Sequence, residues 1–115
     1  MSSRMMMRGW RWRTAIVAVL VAAAPMAARS SAASAVSVDI REFTFAPATL
    51  TVPVGTTVTW INHDEEPHTV TSTTGTFHSV GLGNEEEFTE TFTDRGTYQY
   101  FCALHPHMKA TVIVK

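Results

Sequence analysis

Gly96-Thr97-Tyr98-Gln99-Tyr100-Phe101-Cys102-Ala103-Leu104-His105-Pro106-His107-Met108 is the stretch from which the rest of the chain can be read. It opens on a turn residue and runs through aromatic and β-prone residues, which reads as a strand. Tyr98, Tyr100 and Cys102 alternate, so a strand directs all three to one face. Pro106 opposes continuation as a helix. A short loop can then fold back and bring His105 and Met108 round the Cys102 sulfur. His68, after another strand-like run, has to arrive from elsewhere in the chain. One thiolate, two imidazoles and one thioether form a soft, mixed donor set that suits copper better than zinc, calcium or magnesium. Structural zinc sites use four Cys or His ligands and no thioether. The sequence therefore predicts one copper ion on His68, Cys102, His105 and Met108.

Working outward, the remainder is punctuated like a small sandwich of short strands. Val36 to Ile40 alternates apolar and polar residues. Thr49 to Val52 and Thr56 to Asn62 flank Pro53-Val54-Gly55, a turn. His68 to Thr73, Phe88 to Thr93, Thr97 to Cys102 and Ala110 to Val114 bring the count to about seven. Val58, Trp60 and Asn62 share one face, the first two in the core. Thr74 to Glu87 has three glycines and no alternation, which predicts a surface loop. Neither a repeat nor a helical period is present. The expected fold is all-β, a Greek-key sandwich.

Singly, each candidate ligand has an ordinary reading: a small buried hydrophobe for Cys102, core filler for Met108, surface polarity for either His. Their joint spacing is harder to explain that way. The pattern Gly96-x-Tyr98-x-Tyr100-x-Cys102-x-x-His105-Pro106-x-Met108 resembles the C-terminal copper loop of the cupredoxins. The two-residue gaps are most similar to the amicyanin branch, while plastocyanins and pseudoazurins have longer ones. Val58-Thr59-Trp60-Ile61-Asn62 with Pro67-His68-Thr69-Val70 resembles the strand and turn that supply the family's first His ligand. The likeness runs from about Val38 to Lys115.

The resemblance implies a mobile carrier of single electrons, with copper cycling between Cu(I) and Cu(II). The exposed edge of His105, ringed by Leu104, Pro106 and His107, would be the port for redox protein partners. Asn62 would tie the two ligand-bearing loops together by hydrogen bonds. Thr69 departs from the family pattern, standing where many relatives have Asn. His107 replaces an apolar residue and makes the surface more polar. His63 and His78 read as surface residues, and Glu90 as a rim position open to water.

Residues 1–35 read as an export signal. Arg4, Arg8, Arg11 and Arg13 precede an uncharged apolar stretch from Thr14 to Ala24, and Ala33-Ser34-Ala35 is an Ala-x-Ala processing pattern. The apolar run is shorter than the roughly 20 residues needed to span a bilayer. Residues 36–115 then form one small domain, exported to the periplasm or its equivalent. A chain of this size buries only about 60 % of its unfolded surface, so a bound metal would add stability. Cys102 has no disulfide partner; in an oxidising compartment, burial and metal ligation would protect it.

Charge narrows the partners. All ten Asp and Glu of the chain follow Val36, against Arg41, Arg95, Lys109 and Lys115, so residues 36–115 carry −6. That disfavours nucleic acid and anionic membranes and suits steering towards a basic patch on a protein. Asp64-Glu65-Glu66 and Glu85-Glu86-Glu87 are candidates for such a face, or else solvated loop tips. The expected carrier is a monomer and not an enzyme. Its rivals are a copper carrier or storage protein and a cupredoxin subunit of a copper oxidoreductase.

Overall fold

The computed structural model describes residues 15–26 and 35–115. Residues 15–26 form neither helix nor strand and are exposed. Most of the expected export signal, including the four arginines and all but the last residue of Ala33-Ser34-Ala35, lies outside the described residues. No helix among the described residues is long and apolar enough to cross a membrane.

Alternation along the sequence becomes two faces of two sheets. The strands are β1 (Ala35–Arg41), β2 (Thr44–Ala46), β3 (Thr49–Val52), β4 (Thr56–Asn62), β5 (Thr71–Ser72), β6 (Glu87–Phe92), β7 (Gly96–Phe101) and β8 (Lys109–Val114). One sheet runs β2-β1-β4-β6 and the other β3-β8-β7-β5. Both are mixed: β1 lies parallel to β4 and β3 parallel to β8, and the other pairings are antiparallel. The architecture is the expected all-β sandwich, with eight strands rather than about seven. The extra one is β2, three residues joined to β1 by a two-residue hairpin turn at Glu42-Phe43.

Every second residue of β4 is buried, Val58, Trp60 and Asn62 fully so. Trp60 is the centre of the core. Its ring meets Tyr100 at 5.5 Å between centroids, Phe88 at 5.7 Å, Phe77 at 6.0 Å and Phe92 at 6.4 Å. Each such aromatic side chain buries about 150–250 Å², so the cluster weighs heavily in the core. The indole Nε1 of Trp60 and the Tyr100 hydroxyl are both buried, and among the described residues neither makes a hydrogen bond of good geometry. Burial pushes the Tyr100 phenol up to about 12.

The segment from Thr74 to Glu87, read as a surface loop, contributes Phe77 and Leu82 to the core and pairs back through the bridges Thr71↔His78 and His68↔Leu82. Phe77 packs against Trp60, Phe92, Tyr98 and Tyr100.

Candidate metal centre

The β7–β8 ladder ends at the pair Phe101↔Lys109, so residues 102–108 form the loop beyond it. Two tight turns build that loop. The His105 amide donates to the Cys102 carbonyl at 3.2 Å, and the Met108 amide to the His105 carbonyl at 2.9 Å. Cys102 N–H then closes on the Met108 carbonyl at 3.1 Å. The equal three-residue steps from Cys102 to His105 to Met108 are thus one turn each. Met108 returns to the core, 3 % exposed.

The first His arrives on the neighbouring strand. Thr71 pairs with Phe101, so the residues before Thr71 lie beside Cys102. His68 is fully buried, as is Cys102. Its backbone is pinned on both sides, since His68 and Leu82 exchange amide hydrogen bonds at 3.1 and 2.7 Å.

The ligand atoms of His68, Cys102 and His105 all lie within 4.8 Å of one another. Nδ1 of His68 and Nδ1 of His105 each stand 3.7 Å from the Cys102 Sγ. Metal–nitrogen and metal–sulfur bonds of about 2.0 and 2.3 Å place such donor atoms about 3.5–3.7 Å apart. The spacing therefore suits one metal ion shared by the thiolate and both imidazoles, a mixed sulfur and nitrogen donor set that accommodates copper.

Outer contacts hold each donor. The Thr69 amide donates to the Cys102 sulfur at 3.3 Å, and the Ala103 amide to the Thr69 hydroxyl at 2.7 Å. Nε2 of His68 meets the Asp64 carboxylate at 2.8 Å, which fixes the ring and leaves Nδ1 facing the sulfur. Asp64 also accepts the backbone amides of Glu42 at 2.7 Å and Phe43 at 2.9 Å. Burial pushes its carboxyl upward, but the Phe43 and Glu42 amides and the His68 ring together outweigh this and hold it below the usual carboxylate range. Phe43 lays its ring against both imidazoles, 5.0 Å from His68 and 4.9 Å from His105, edge to face in each case.

Several sequence readings change here. Asp64 belongs to the site and not to an acidic docking face; its side chain is only 13 % exposed. Nothing in the sequence singles it out, because it stands in a run of three acids. Asn62 does not join the two ligand loops. Its amide donates to the carbonyls of Glu66 and Leu82, and its Oδ1 accepts the Asp64 amide, so it ties the His68 loop to the segment that carries Leu82 and not to the Cys102–Met108 loop. Thr69 makes the tie between loops. His63 is no simple surface residue: its ring spans Asp39 at 2.9 Å and Glu85 at 3.1 Å. His78 and His107 are exposed. Phe43 was missed altogether.

Comparison with known proteins agrees with this geometry. The model of the cupredoxin-like domain matches residues 13–114. This chain is a cupredoxin. Among the cupredoxins it is similar to amicyanin of Paracoccus denitrificans, with 37 % identity over 103 residues covering 85 % of this chain and 79 % of the relative. A solved amicyanin variant in its Cu(I) form superposes with a TM-score of 0.68 at 36 % identity, over 70 % of this cupredoxin and 82 % of that chain. A copper-containing nitrite reductase from Thermus scotoductus gives 0.67 at 32 % identity, but the match spans 71 % of this chain and only 22 % of that enzyme. This cupredoxin corresponds to one part of that larger protein.

Proposed function

We propose that this cupredoxin is a small exported electron carrier with one copper ion held by His68, Cys102, His105 and Met108. The observation that carries the reading is the pair of imidazole nitrogens equidistant from one buried thiol, with a buried thioether at the end of the same loop. Copper bound there supplies a one-electron couple between Cu(I) and Cu(II). The protein's part is to keep the donors in one arrangement for both states. The sandwich, the two tight turns and the Thr69 and Asp64 contacts do that, because each donor is held by groups that do not depend on the metal.

Electrons would pass at the half-buried His105, beside Leu104, which is 53 % exposed, and the exposed Pro106 and His107. A small apolar patch suits brief docking with redox proteins. The exposed Glu65, Glu66 and Glu87 supply negative charge for steering. Residues 1–35 act as the export leader, and the working form is a monomer of residues 36–115.

Voltammetry of the copper-loaded chain against a small-molecule mediator tests the reading. A reversible one-electron wave with copper retained over many cycles supports electron transfer. Copper lost to a competing chelator on each reduction would favour metal carriage instead.

A further inference from the structure

The turn between β1 and β2 is built from the wrong residues for its shape. Glu42 and Phe43 both have left-handed backbones, with φ of 50° and 58°. Two-residue hairpins of this kind prefer Asn-Gly or Gly-Gly, because side chains beyond Cβ are disfavoured at positive φ. Such strain persists only where surrounding contacts over-determine it, and it collects at functional sites. Here the over-determining contact is Asp64, whose two carboxylate oxygens take the two turn amides, one each.

We propose that Phe43 is a positioning residue for both metal-facing imidazoles, and that Asp64 clamps it in place. One carboxylate performs two tasks. It orients His68 through Nε2 and pins the turn that carries the Phe43 ring. That ring stands edge to face against His68 and His105, at interplanar angles of 85° and 89°. The two imidazoles lie 5.0 Å apart at 62°, and among the described residues no side-chain hydrogen bond holds His105 on its outer side. Without the Phe43 ring, His105 would keep only its own loop and the edge of the His68 ring. A glycine would satisfy the backbone of position 43 and a large aromatic does not, so the ring itself is what the strain secures. Phe43 is 37 % exposed, so burial in the core does not account for it.

This inference deepens the copper reading, and its first test does not use copper. Proton NMR of the metal-free chain follows cross-relaxation between the ring protons of His68 and His105, whose centroids stand 5.0 Å apart. Phe43→Gly relieves the turn while deleting the ring, so the chain stays folded. The cross-peaks should then be lost, and Cu(I) release to a chelator should quicken about tenfold, the effect typical of losing an outer contact. Glu42→Gly relieves the same strain with the ring intact and should change neither. Phe43→Tyr should restore both. Asp64→Asn should lose the protection of the Glu42 and Phe43 amides and weaken the cross-peaks together with it. Unchanged cross-peaks and copper release in Phe43→Gly would overturn the proposal, as would equal loosening by Glu42→Gly. If the chain failed to bind copper at all, the metal-free cross-peaks would still decide the role of Phe43.

Discussion

Thr69 and Ala103 join the two ligand-bearing loops: the Ala103 amide donates to the Thr69 hydroxyl at 2.7 Å, while the Thr69 amide donates to the Cys102 sulfur at 3.3 Å. The two contacts run in opposite directions between the same two loops. The hydroxyl is further held by Thr71 at 2.9 Å. A residue that departs from the family pattern thus performs the bridging that the resemblance assigned to Asn62.

Thr69→Val keeps the shape and removes the hydroxyl, leaving the Ala103 amide without its acceptor. The expected cost is about 1 kcal/mol, read as a lower urea midpoint for the metal-free chain. The Thr69 amide still reaches the sulfur, so the thiolate-to-copper band should persist. A midpoint equal to wild type would show that the bridge contributes nothing to stability.

Met108→Gln replaces a soft thioether with a harder oxygen donor, which favours Cu(II) over Cu(I). The reduction potential should fall, by at least the about 59 mV that a tenfold change in preference represents for one electron. An unmoved potential would remove Met108 from the ligand set.

His63 gives the chain a pH-dependent staple. Asp39 from β1 and Glu85 from the loop before β6 face opposite edges of its ring, and their hydrogen bonds raise its pKa above 6.5, against smaller lowering by burial and Arg41. A raised folded value means the contribution is complete below the unfolded value and fades as pH rises through the folded one. His63→Gln should therefore lose most stability near pH 5 and approach wild type in mildly alkaline solution. Thermal melts across that range check the sign. A variant whose deficit grew with pH would contradict it.

How much of this was legible in the sequence depends on distance along the chain. Cys102, His105 and Met108 sit within seven residues, and local turn chemistry brings them together, so residue type and spacing pointed to them jointly. Trp60 and Val58 were legible because alternation along a strand survives folding. Asp64 and Phe43 were not. They lie more than twenty positions apart in the chain and meet only through a hairpin whose residues, Glu42 and Phe43, lack the usual turn signal. β2 was missed for the same reason, being three residues ahead of Pro47 with no turn to announce it. Phe77 and Leu82 are single apolar residues in an aperiodic stretch, where pattern says nothing about burial.

Cys102→Ser isolates the thiolate. The sulfur is fully buried and makes no disulfide, so the hydroxyl should be tolerated and the domain should fold. Copper binding should weaken, and the intense visible colour should vanish. Retained colour would remove Cys102 from the ligand set.

A visible absorption spectrum during titration with Cu(II), followed by ascorbate, tests the copper–thiolate site most directly. A strong thiolate-to-copper band that saturates at one equivalent and bleaches reversibly is the predicted result. A pale complex that a mild chelator strips would contradict both the site and the electron-carrier reading built on it.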